Sequence, residues 1–186
     1  MPSLEVIAEE AAGCTRCRLA EGRTTVVFGM GDPAADLMFV GEGPGAEEDR
    51  QGLPFVGRSG QLLDRLIADE LGTTRAHCYI ANVVKCRPPD NRDPRPDEIE
   101  ACRPYLEGQI ASIHPKVIVT LGRFAAQVLL GTKDGINALR GTAYPYAGGV
   151  LVPTYHPAAA LRGGGEPLAK MRADLVRAKH ALTRAA

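Results

Sequence analysis

Five cysteines stand at Cys14, Cys17, Cys78, Cys86 and Cys102. Cys14-x-x-Cys17 precedes the first long apolar run, and Cys86 and Cys102 bracket a proline-rich stretch with fifteen residues between them. Both pairs lie in or beside irregular segments, from which thiolates can turn toward one centre. Four thiolates suit either tetrahedral Zn²⁺ or a [4Fe–4S] cluster. A zinc ribbon pairs one C-x-x-C with another, and the second pair here is far too widely spaced for that, so the asymmetry favours iron and sulfur. Cys78 belongs to an apolar run and is expected to pack as a small hydrophobe.

A second group of residues follows the ends of apolar runs. "LMFV" leads directly into "GEGPGAEEDRQGLPF", residues 41–55. A glycine loop after a strand is the usual phosphate cradle, yet this one has no lysine after its glycines and carries Glu42, Glu47, Glu48 and Asp49. Phe55, between Pro54 and Val56-Gly57, offers an aromatic face on which a planar base could stack, and equally suits an ordinary core. Asn82 interrupts the apolar "YIANVVK". A buried carboxamide must be satisfied by structure or by a ligand, and its one acceptor and two donors match the N3–H and O4 edge of uracil. His156, in "PTYHPAA", could donate to an oxygen that gains negative charge. Glu42, directly after the strand and between two glycines, could orient water or counter positive charge developing on a sugar. The three later acids of the loop are expected to cap or solvate it.

These residues need a frame. Apolar spacing predicts helices over 3–11, 60–72 and 123–131, and a basic amphipathic helix over 166–185. Residues 97–113 also read as helix, with a kink or break expected from Pro104 and Gly108. Strands are expected over 35–43, 78–86 and 116–122, a loop over 87–96, and a hairpin over 141–157. Alternating short apolar strands and helices predict a three-layer α/β/α sandwich around a mostly parallel sheet, in one domain over residues 1–186. In such sheets ligands gather at the carboxyl ends of the strands, where Glu42, Asn82 and His156 all fall.

Net charge is zero, which argues against a strongly basic nucleic-acid binder. Its distribution is uneven: residues 1–70 carry 6 basic and 13 acidic side chains, residues 131–186 carry 8 and 3. One basic face is therefore permitted. Neither a membrane span nor a signal peptide is read, so the cytoplasm is the expected compartment and disulfides are not expected.

Taken together, the segments resemble the uracil-DNA glycosylase superfamily, specifically its iron–sulfur, type 4 (thermophile-type) members. "GEGPGAEEDRQGLPFVGRSGQLLD" is similar to that family's first motif, "NVVKCRPPDNRDPRPDEIEAC" to its central segment and "HPAAALR" to its last. The resemblance implies a monomeric enzyme that flips deoxyuridine from DNA, hydrolyses its N-glycosidic bond and releases uracil. It implies [4Fe–4S] ligation by Cys14, Cys17, Cys86 and Cys102. It gives Phe55 the stacking role, Asn82 the base-reading role, and the backbone of Gly41, Glu42 and Gly43 the pocket wall. His156 then bonds uracil O2, and Glu42 positions water. Arg87, Arg92, Arg95 and Arg162 are the candidates for DNA phosphates. Ala158 stands where serine is common, so one DNA-facing hydroxyl is absent. A covalent branch of the superfamily uses a histidine in a "KRRIH"-type insertion; here "VVKCRPPDNRDPRPDE" follows Asn82 without one, which predicts turnover and no adduct. An iron–sulfur electron carrier would explain the cysteines but not Phe55, Asn82 and His156, and a non-catalytic binding module would keep the pocket without releasing uracil.

Overall fold

The computed structural model describes residues 1–186. In chain order its elements are α1 (Leu4–Ala12), α2 (Leu19–Gly22), β1 (Met30–Gly31), β2 (Leu37–Gly41), α3 (Ala46–Gln51), α4 (Arg58–Leu66) and β3 (Tyr79–Asn82). Then come α5 (Pro96–Ile113), β4 (Val117–Leu121), α6 (Arg123–Leu130), α7 (Ile136–Leu139), β5 (Tyr144–Tyr146), β6 (Gly149–Thr154), α8 (Pro157–Gly163) and α9 (Gly165–Arg184).

The strands form one sheet in the order β1-β3-β2-β4-β6-β5. The central β3, β2, β4 and β6 are parallel, and β1 and β5 are antiparallel edges. Every residue of β2 and β4 is buried, as parallel strands covered on both faces require. Side chains alternate along a strand, so Met38 and Val40 of β2 face one layer and Leu37 and Phe39 the other. The first layer is carried by α1, α5 and α6 through Ile7, Leu106, Ile110 and Ala125. The second is carried by α4, α8 and α9 through Leu63, Leu66, Ala160, Met171 and Leu175. This is the three-layer α/β/α sandwich that the sequence pattern predicts.

Three local expectations change. The α5 helix runs unbroken through Pro104 and Gly108. Pro104 is exposed, so water can take the carbonyl that it leaves unbonded. Gly108 lies under α1, where an added Cβ would stand 3.0 Å from Ile7 Cδ1. The α4 helix ends as a turn of π-helix over Ile67–Leu71, closed by Gly72 at φ 64°. Finally, β3 stops at Asn82 rather than reaching Cys86. Beyond it, Val83 and Val84 donate their N–H groups to the carbonyls of Gly41 and Glu42, and Lys85 N donates to Cys102 Sγ at 3.3 Å. Pairing with the glycine loop, then with a thiol, turns the chain toward the other cysteines.

Candidate active site

Gly41 closes β2, Asn82 closes β3, and His156 comes two residues after β6. The parallel register sets Gly41 opposite Asn82, and β4 links β2 to β6. The three strand ends therefore open on one side of the sheet. A cavity of about 480 Å³ lies there, lined by Glu42, Gly43, Phe55, Asn82, Asp93, His156 and Arg162 among others. That is within the roughly 300–1,000 Å³ of ligand pockets.

Close packing shapes its floor. A Cβ on Gly41 would stand 2.5 Å from both Asn82 Oδ1 and the Phe55 ring, so only glycine lets the ring and the carboxamide meet there. Phe55 is buried at a left-handed φ of 52°, a conformation that costs a bulky residue about 1–3 kcal/mol. Gly60 admits this bend, because a Cβ there would meet the Phe55 carbonyl at 1.8 Å. The Phe55 and His156 ring centroids lie 5.7 Å apart with planes 31° from parallel. Gly122, at φ 94°, lets the His156 chain approach β4; its Cβ would lie 3.1 Å from His156 Cβ.

Asn82 is 1% exposed and its Oδ1 has no hydrogen-bond partner. A carboxamide oxygen left this way costs free energy until a ligand's N–H reaches it. The Ala158 N–H donates to His156 Nδ1 at 3.0 Å, which makes Nδ1 the acceptor and leaves the ring proton on Nε2. Burial, and then the charge of Arg162, push the His156 pKa down to about 4, so the ring is neutral at pH 7. Glu42 moves the other way. Burial, with Asp93 nearby, raises its pKa to about 7, while Arg123 opposes the shift.

The four arginines separate. Arg162 is exposed and lines the cavity. Arg95 is exposed; its backbone N–H donates to Glu98 and its carbonyl accepts from Ile99 N. Arg87 Nε donates to Asn91 Oδ1 at 2.7 Å. Arg92 also lines the cavity, but its guanidinium is held at both ends by the Glu98 carboxylate, at 2.6 and 2.9 Å. Asp93, Asn91 and Ser59 line the cavity without having been singled out in the sequence. Arg123 likewise acts on Glu42 from beyond β4. Its signal was present: "TLGR" repeats the strand–glycine–charge pattern of "FVGE".

On the α1/α5 layer, Cys14, Cys17, Cys86 and Cys102 line one pocket. Burial pushes the Cys102 thiol up to about 11 and raises that of Cys86, so positive charge must be supplied to hold them as thiolates. No three Cys, His, Asp or Glu side chains form a group that could hold a metal ion. A single zinc ion draws its four sulfurs to within about 2.3 Å of one point. A four-iron cluster takes one thiolate at each of its four irons, and four cysteines lining one pocket are the donor chemistry it requires. Cys78 is buried in the other core layer, away from the four.

A mostly parallel sheet with a partly unsatisfied pocket at its strand ends, and a separate pocket that four cysteines help to line, defines an α/β ligand-binding domain. The chain belongs to the Uracil DNA glycosylase superfamily, whose family profile matches residues 28–180. It is 49% identical over 169 residues to the Type-4 uracil-DNA glycosylase of Sulfurisphaera tokodaii, covering 87% of this chain and 77% of that one. The enzyme of the same name from Saccharolobus solfataricus is 46% identical over 192 residues, 98% of this chain and 88% of its own. That of Thermotoga maritima is 45% identical, over 90% of this chain and 88% of its own.

Proposed function

We propose that this chain is a monofunctional uracil-DNA glycosylase, a hydrolase that removes uracil from DNA and leaves an abasic site for base-excision repair. The observation that carries the reading is the orphaned carboxamide of buried Asn82, set beside Phe55 and His156 in one cavity. An unsatisfied amide next to an aromatic face is what a flipped pyrimidine would complete.

The residues divide the work. Phe55 stacks on the base and Asn82 pairs with its polar edge, a contact class worth about 1–3 kcal/mol per stacked base. Backbone at Gly41, Glu42 and Gly43 forms the wall. As the N1–C1′ bond breaks, its electron pair passes to the leaving uracil, and the neutral His156 donates from Nε2–H to the O2 that gains charge. The Glu42 carboxylate offsets positive charge on the sugar and orients the water that adds to C1′, and the proton which that water sheds neutralises the departing uracil anion. Arg162, Arg95 and Arg87 meet DNA phosphates, which position the duplex without reading it. Arg92 contributes its charge from the rim while it braces the loop on Glu98.

Cys14, Cys17, Cys86 and Cys102 would hold a [4Fe–4S] cluster, whose contribution is a structural staple between the N-terminal segment and the 86–102 loop that carries Asp93 and the rim arginines. The whole of residues 1–186 acts as one domain, as a monomer, on DNA inside the cell; no helix is long and apolar enough to cross a membrane.

Uracil release is the test. Purified protein is given a U·G duplex and a C·G control. Abasic sites are expected on U·G alone, with loss of at least about 100-fold in His156→Ala, as for removal of one electrostatic donor, and of about 10- to 100-fold in Phe55→Ala, as for loss of one stacking contact. A protein that binds the U·G duplex but never breaks the glycosidic bond would be a binding module, and the catalytic roles of Glu42 and His156 would be withdrawn.

A further inference from the structure

Phe55 is held in its left-handed conformation from two sides. On one side Glu48 Oε2 accepts from Val56 N at 2.9 Å and from Gly57 N at 2.8 Å, while Oε1 accepts from Gly45 N at 3.1 Å. On the other, Arg75 Nη1 donates to the Pro54 carbonyl at 3.1 Å and Nη2 to the Phe55 carbonyl. Arg75 Nε is in turn fixed by Asp64 Oδ1 of α4 at 2.6 Å, and its side chain is only 18% exposed.

The pattern matters because of which peptide planes it holds. The plane before Phe55 is anchored through the Pro54 carbonyl. The plane after it is anchored at both ends, through the Phe55 carbonyl and the Val56 N–H. Fixing the planes on either side of one Cα fixes its φ and ψ together, and so fixes where the side chain leaves the chain. Without these bonds a phenylalanine at φ 52° would relax to the ordinary negative-φ region and carry its ring away from Gly41.

We propose that Glu48 and Arg75 are positioning residues, which together clamp the Pro54–Gly57 turn and aim the Phe55 ring across the base pocket. The proposal deepens, and rests on, the reading that Phe55 stacks on the flipped uracil. The clamp also joins three separate pieces of chain, α3, α4 and the segment before β3, to the base-contacting ring.

The test separates ring position from base binding. The protein carries 4 phenylalanines, so 4-fluorophenylalanine labelling yields a ¹⁹F spectrum that single substitutions can assign. The variants are Glu48→Gln, Arg75→Lys and Arg75→Met. Glu48→Gln keeps shape but turns one acceptor oxygen into an NH₂ group facing N–H donors, so a role in packing alone would tolerate it. Arg75→Lys keeps charge but cannot span Asp64 and two carbonyls. The Phe55 resonance is expected to shift or broaden while those of Phe28, Phe39 and Phe124 stay. The inhibition constant of free uracil should rise about tenfold, the loss of much of one stacking contact, with undamaged-duplex affinity kept within about twofold. An unmoved Phe55 resonance in both Glu48→Gln and Arg75→Lys overturns the clamp. So does equal movement of all four, which would mean general loosening. A displaced ring with unchanged uracil inhibition upholds the clamp and overturns the stacking reading instead. Should Arg75→Met not fold, Asp64→Asn, which removes only the anchor of the guanidinium, takes its place.

Discussion

Glu42 and His156 face one cavity with their proton affinities moved in opposite directions, and the reason is the same for both. Burial disfavours charge, so the carboxyl rises to about 7 and the imidazole falls to about 4. At neutral pH the histidine is therefore a neutral donor, whereas Glu42 is near its midpoint. If the carboxylate form positions water, kcat/KM for uracil release should climb with pH up to about 7 and then level, and Glu42→Gln should flatten that limb. An unchanged limb in Glu42→Gln would assign it to another group. Stability should run the other way. A carboxyl whose folded pKa lies above its unfolded value loses stability as pH rises from about 4.5 to about 7. Glu42→Gln should thus melt at a higher temperature than the parent at pH 8, the difference vanishing below pH 4.5. A pocket that stores this cost for the sake of reactivity has the usual conflict between function and stability.

Among the elements, the loop after β2 bears the tightest constraint. It must bring backbone, a ring and a carboxamide within contact of one glycine, and Gly41 has no space for a methyl. Gly41→Ala should leave the sheet intact but push the ring or Asn82 aside, with uracil release down by about 100-fold and duplex affinity little changed. Retention of near-parental uracil release, with a folded protein, would show that the ring can shift without consequence. The loop between Cys86 and Cys102 has a different task. Four residues, Arg92 to Arg95, lie between a short 3₁₀ turn at Pro89–Asn91 and the start of α5, and Arg92 braces them against Glu98. It delivers Asp93 to the cavity and leaves Arg95 exposed.

At the scale of the molecule, the sheet separates a layer that holds the thiols from a layer that holds the last motif. On the thiol side, Lys85 is fully buried, donating from Nζ to the Asn82 carbonyl at 2.7 Å and to Gln109 Oε1 at 2.6 Å, so the segment that leads to Cys86 is tied to the end of β3 and to α5. On the other side, buried Asp174 of α9 accepts from Arg140 and from Thr154 at the end of β6, two residues before His156. Removing one cluster ligand should be felt across the molecule. Cys86→Ser is expected to lose the brown absorbance near 400 nm, roughly where iron–thiolate charge transfer falls, to melt earlier and to bind DNA less tightly. Full stability and activity in the colourless variant would remove the cluster from the structural account.

Periodicity and residue type were enough to determine the class of fold, the extent of most helices and strands, and the grouping of four cysteines apart from Cys78. Those properties are local: alternation along a strand, a stripe along a helix and a missing side chain at a glycine act within a few residues. Tertiary contacts decided the rest. The break expected in α5 did not occur because Pro104 faces water and Gly108 faces Ile7, and neither neighbour is visible in the helix's own sequence. Asp93 reaches the pocket, Arg123 comes close enough for its charge to act on Glu42, and Arg92 is taken up by Glu98, through placements set by the sheet order. The left-handed turn at Phe55 is the clearest case. A phenylalanine between proline and valine has no intrinsic preference for positive φ, and only Glu48, Arg75 and Gly60, brought in from other elements, hold it there.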